Sequence, residues 1–187
     1  MKHKFIVYLI PSLILFVFIS IFWVIFGVKN IELLYLAIGL TLGILIIDSD
    51  HFIFWFFLKP KKEESRLVKM AIKKKDIKSV TKIVQKSHRV HHSLIFHHYF
   101  FQVILVLFSL FIITSTNNTI ISALILGLNF HLIIDEIIDY RHDPKVLQKW
   151  LFARENKQLP ISFLKRYIAI FIVFMFLFTF FIIRSRI

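Results

Sequence analysis

Apolar residues run along this chain in five stretches, at 5–28, 31–58, 94–115, 119–140 and 161–183, divided by two long polar connections and two short ones. Crossing a bilayer takes about 20 residues of helix. Backbone groups in lipid must be satisfied within their own segment, so each stretch is predicted to be a membrane-spanning helix rather than a strand. The first follows Lys2 and Lys4 as a secretory signal would. Its apolar run is too long for one and no small-residue cleavage site follows, which predicts an uncleaved span. Pro11 stands near the start of the first stretch, Pro60 just after the second and Pro160 just before the fifth, where a bundle accepts them. The expected architecture is all-α: a polytopic helical bundle forming a single membrane domain over 1–187, with about five transmembrane helices plus one or two interfacial helices.

The connections have a pattern of their own. Between 62 and 88, Leu67, Met70, Ile77, Val80 and Val84 recur at helical spacing, with Lys73, Lys74, Lys78 and Lys82 on other faces. This predicts an amphipathic helix lying on the membrane, its cations toward anionic headgroups, although the positive-inside rule accounts for the charge without any ligand. A shorter segment puts Val146, Leu147, Trp150 and Leu151 on one side.

Composition narrows the class further. With 58% hydrophobic residues and a mean hydropathy of +0.76, a soluble globular protein and a disordered chain are both excluded. The absence of Cys excludes disulfides and thiolate metal sites. A net charge of +13 would suggest nucleic acid in a soluble protein, but no aromatic residues are interleaved with the cations, so no nucleic-acid partner is expected. The cations are instead segregated: twelve Lys and Arg lie in 59–89, seven in 141–166, and Lys2 and Lys4 at the start, against Lys29, Arg184 and Arg186 elsewhere. That asymmetry predicts a multi-pass inner-membrane protein with its N-terminus and both long loops cytoplasmic and its C-terminus outside.

Against this background a few ionisable residues stand out inside or beside apolar sequence. They are Asp48, Asp50 and His51 in the second stretch, His97 and His98 in the third, and His131, Asp135, Glu136 and Asp139 in the fourth. The group His88, Arg89, Val90, His91, His92 lies just ahead of the third. A carboxylate at the bilayer centre costs about 2.5–3.5 kcal/mol on insertion scales, so such groups point to function. At a rise of about 1.5 Å per residue, all of them fall at one level, near the cytoplasmic interface. His131, Asp135 and Asp139 share one helical face, as do His88 and His92, and Asp48 and His51 are three apart. Imidazole and carboxylate at these spacings make an N/O donor set suited to zinc, manganese or iron. Singly, an intramembrane His such as His51, His97 or His98 reads as hydrogen-bonded packing; Asp139 could equally pair with Arg141, and Arg89 with a carboxylate.

Three blocks of this sequence, Asp48-Ser49-Asp50-His51, His88-Arg89-Val90-His91-His92-Ser93 and His131-Leu132-Ile133-Ile134-Asp135, resemble in order and spacing those of the YdjM-like membrane-bound metal-dependent hydrolases. They are distantly similar to blocks of the zinc phospholipase C and single-strand nuclease superfamily. The middle block is one residue shorter than the family pattern and has His91 where Thr is usual, which leaves open which of His88, His91 and His92 ligates. The resemblance covers about 31–140 and implies a divalent metal, zinc before manganese or iron, among Asp50, His51, His88, His92, His131 and Asp135.

The expected chemistry is hydrolysis. Asp48 and Asp139 are candidate general bases and Arg89 a candidate holder of a phosphate or other oxyanion. A site at headgroup level points to a phosphoester, such as a lipid headgroup. Two other readings use the same residues: an ion- or proton-coupled transporter or relay, and a metal-stapled scaffold without turnover.

Overall fold

The computed structural model describes residues 2–87, 94–153 and 160–187. They form eight α-helices: α1 (Lys2–Ile25), α2 (Asn30–Ile53), α3 (Glu63–Lys73), α4 (Ile77–Ser87), α5 (Tyr99–Ser115), α6 (Thr119–His142), α7 (Pro144–Leu151) and α8 (Ile161–Arg184). A π-helical turn, Phe54–Leu58, extends α2. No strand occurs among the described residues. Four helices, α1, α2 with its π turn, α6 and α8, are long and apolar enough to cross a membrane.

The third apolar stretch behaves differently from its expectation over 94–115. Its helix begins only at Tyr99 and has 17 residues, about 25 Å at the helical rise. Residues 94–98 are not helical because their backbone is used elsewhere: the N–H groups of Ile95 and Phe96 both donate to Asp50. His98 then caps α5, its Nδ1 accepting from the Phe100 N–H at 3.3 Å. The amphipathic segment expected over 62–88 is likewise broken, into α3 and α4. Lys75 adopts a left-handed φ of 55°, and Asp76 restarts the helix by accepting from the Ser79 N–H and hydroxyl at 3.1 and 2.6 Å. The short segment around Trp150 is α7, started by Asp143, which accepts from the Lys145 N–H at 2.9 Å, with Pro144 at its first turn.

α6 is the axis of the bundle. In its most apolar 18-residue window 67% of the residues are buried, against 11% in that of α1. α2 runs beside it in the same direction, since Thr119 at the start of α6 donates to Glu32 in the first turn of α2. Small residues bring the two backbones together. A Cβ on Gly39 would stand 2.5 Å from the Ile120 carbonyl, one on Gly43 2.1 Å from that of Leu124, and one on Gly127 2.5 Å from that of Leu40. Gly39 and Gly43 are four apart, as are Ala123 and Gly127, so each helix offers a small-residue stripe at the spacing that close membrane packing favours. This contact fixes the C-terminal halves of α2 and α6 side by side, where Asp48, Asp50, His131 and Asp135 lie.

At the same end, Trp55 of the π turn donates to Glu64 of α3 at 2.9 Å, and Phe54, Trp55, Val68 and Leu94 form a small second core. α7 packs back through Leu147, Trp150 and Leu151, all buried.

Candidate functional site

Two carboxylates and two imidazoles, all buried, meet where α2, α6 and the turn at 94–98 converge. Asp50 is fully buried. Its Oδ1 accepts from the Ile95 N–H at 3.1 Å, and its Oδ2 accepts from the Phe96 N–H at 2.6 Å and stands 3.4 Å from His97 Nδ1. The other ring nitrogen of His97, Nε2, lies 3.3 Å from Oδ2 of Asp135. One imidazole therefore bridges carboxylates from two helices, an arrangement in which both nitrogens serve best as donors.

His131 approaches the same oxygen from the opposite side. Its Nδ1 lies 2.8 Å from the Ile44 carbonyl, an acceptor only, so that nitrogen carries the proton. Nε2 then faces Oδ2 of Asp135 at 3.2 Å and Oδ1 of Asp48 at 3.8 Å, with no hydrogen-bond partner of its own. Facing two carboxylates, Nε2 is favourable when it carries a proton of its own or when a cation lies between it and the acids. From α1, Tyr8 donates its hydroxyl to Oδ1 of Asp135 and stacks on His131, with ring centroids 4.6 Å apart.

Asp48, Asp50, His131 and Asp135, all singled out in the sequence, are thus brought together. His51 is buried and stacks on Trp55 at 5.8 Å. Asp139 accepts from Trp150 Nε1 at 2.9 Å, a bond that ties α7 to the end of α6. His88, Arg89, His91 and His92 lie outside the described residues. Among the described residues, no three His, Asp or Glu side chains converge as a ready-made metal-binding group, because the His97 ring itself occupies the gap between Asp50 and Asp135.

Two central residues were not assigned a role from sequence. His97, taken singly, reads as hydrogen-bonded packing like other lone intramembrane histidines, and its place is set by the departure from helix at 94–98. Tyr8 gave no signal, being one aromatic in an apolar span. Behind His97, Gln102 donates to the His97 carbonyl at 3.2 Å and accepts from Tyr167, and the buried Glu136 lies beside it.

Asp48, His131 and Asp135 are the residues here that could contribute to holding a divalent cation, although among the described residues they do not form a complete ligand set. His131 presents a buried Nε2 toward Asp135 and Asp48 while its opposite nitrogen is anchored by a backbone carbonyl, the orientation typical of metal-ligating histidine. In comparison with known proteins, no family model matches the chain, and no curated protein or solved structure matches it significantly.

Proposed function

We propose that this chain is a membrane-embedded, metal-dependent hydrolase of phosphoesters, with its site at the basic, cytoplasmic end of an inner-membrane bundle. One observation carries the reading: Nε2 of His131, buried and without a hydrogen bond, faces the carboxylates of Asp135 and Asp48. His131, Asp135 and Asp48 would hold the metal, with His51, His88 and His92 as the further ligands that the family resemblance implies. Asp50, engaged by two backbone N–H groups, acts through His97, which it orients toward Asp135. When bound, a divalent metal supplies a water acidic enough to ionise near neutral pH and polarises the ester oxygen.

The chain's own residues do the rest. Tyr8 and His97 hold Asp135 from two directions, so its carboxylate is presented in one orientation. A carboxylate outside the ligand set accepts the proton of the attacking water, and Arg89 is the candidate partner of the phosphate. Overall, water's oxygen joins phosphorus, the ester P–O bond breaks, and the departing alkoxide takes a proton.

Metal analysis of detergent-purified protein, wild type against His131→Ala and Asp135→Ala, tests the site. Metal bound by the wild type and lost in both variants supports the reading. Negligible metal in all three overturns it. Metal retained without release of phosphate or headgroup from mixed lipids leaves a stapled scaffold or a transporter instead.

A further inference from the structure

Among the described residues of the cluster, Asp48 is the one that reaches the surface. Asp50, His97, His131 and Asp135 are each at most 3% exposed, whereas the Asp48 side chain is 51% exposed. The surface that Asp48 reaches is not an aqueous face of the protein. It belongs to a stripe of α2 in which Ile38, Leu42, Leu45 and Phe52 are 39%, 43%, 55% and 44% exposed. Their spacing of three to four residues makes this the outward, lipid-facing side of the helix.

Depth agrees. Asp48 lies eighteen residues from Asn30, about 27 Å along the axis from the outer end of α2, and Asp135 sixteen residues from Thr119, about 24 Å from that of α6. Both fall inside a hydrocarbon core of about 30 Å. An ionisable side chain at such depth ordinarily faces the bundle interior or a water-filled cavity. Asp48 does neither fully: it touches the buried His131 while half of it faces outward.

The neighbouring helix is loosely held where this happens. α1 buries Ile19 and Trp23 completely, both in its half far from the site, while Leu9, Ile10, Leu13 and Ile14 are about half exposed or more. Near the site, Tyr8 holds it through Asp135 and His131. His131 thus sits between a residue of α1 and a residue of α2, behind a seam between the two helices that faces the bilayer.

We infer that the α1–α2 seam is a lateral portal through which the polar head of a membrane lipid reaches the site while its acyl chains stay in the bilayer. The substrate class is then an amphiphile with a phosphoester headgroup. Leu45 and Phe52 lie on the same outward face of α2 as Asp48, which marks the threshold. The chemistry rests on the hydrolase reading; the portal itself does not.

The experiment uses full-length protein in vesicles of phosphatidylcholine and phosphatidylglycerol, with Leu45→Trp and Phe52→Trp narrowing the seam. In one arm, a phospholipid with a photoreactive headgroup is cross-linked and the labelled peptides are mapped. Labelling of 42–52 and of the first turns of α1, reduced by Leu45→Trp, supports the portal; labelling confined to the α3–α4 and α7 connections overturns it. In the other arm, headgroup release is followed from vesicle phosphatidylglycerol and from a short-chain, water-soluble analogue. A loss of about tenfold on the vesicle lipid with the analogue spared supports lateral entry. Equal effects on both, or none on either while turnover persists, overturn it. Labelled seam peptides with no turnover on any substrate would remove the hydrolase reading and leave the lipid portal standing.

Discussion

Tyr8 and Asp135 lie 127 positions apart in sequence and share a hydrogen bond, with the Tyr8 ring also stacked on His131 one turn earlier in α6. Tyr8→Phe keeps the ring and removes the bond. A hydrogen bond to a charged group is worth about 1.5–3 kcal/mol, and loss of a group that orients a ligand typically weakens metal affinity about 10–100-fold. The expected result is weaker metal binding, read by competition with a chelator, in a bundle that still folds. Unchanged affinity would make Tyr8 a packing residue only.

The helix pair that carries the site depends on missing side chains. Gly43→Leu would put a Cβ 2.1 Å from the Leu124 carbonyl, where backbone cannot give way. Overpacking of this kind costs about 1–3 kcal/mol or more, and pushing α2 from α6 separates Asp48 from His131. Thermal unfolding in detergent should shift down and metal content should fall with it. Gly27→Ala is the control: its φ of +73° makes the change strained, yet no atom lies within 4 Å of the new Cβ. It should cost about 1–2 kcal/mol and leave metal content alone.

Asp139 and Trp150 give a test that separates anchoring from catalysis. Trp150→Phe removes the bond to Asp139 and leaves the carboxylate in place. A shift of about 1 kcal/mol in stability with normal turnover would mark the bond as the fastening of α7. Turnover lost in Asp139→Asn but kept in Trp150→Phe would assign the carboxylate to the reaction.

Acid should loosen α4 before the spans. The hydroxyl and N–H of Ser79 hold the Asp76 carboxyl below its ordinary value of 3.8. A depressed folded value means the cap contributes above the unfolded value and is lost as pH falls through the folded one. Amide exchange at the start of α4 should therefore be slow at neutral pH and faster below about pH 4. Asp76→Ala should show the fast behaviour at neutral pH, and a pH-independent profile in the wild type would refute the cap.

Four of the five expected spans were legible as helices long and apolar enough to cross a membrane, because lipid imposes a length and a hydropathy that few sequences satisfy by accident. The level at which Asp48, Asp50, His131 and Asp135 meet was legible too, since each lies a fixed number of residues from a helix end. The start of α5 was not: Leu94, Ile95 and Phe96 are apolar and read as helix, and only the carboxylate of Asp50, 45 positions earlier, draws their backbone into a turn. The break at Lys75 was hidden for a similar reason, since a left-handed lysine leaves no mark in a periodic pattern. His97 and Tyr8 owe their roles to these long-range contacts, which no local spacing encodes.

The shortness of α5 has a consequence for the surrounding lipid. Set across a membrane, a rod of about 25 Å would fall short of a slab of about 30 Å, a mismatch that local thinning of the leaflet, snorkelling flanks or oligomerisation would relieve. A dimple from such thinning would form at the end where His98 caps α5, lowering headgroups toward the level of His97. Bilayer thickness would then set how far a headgroup must sink, so acyl-chain length in the host membrane becomes a control on the site with no change in the protein.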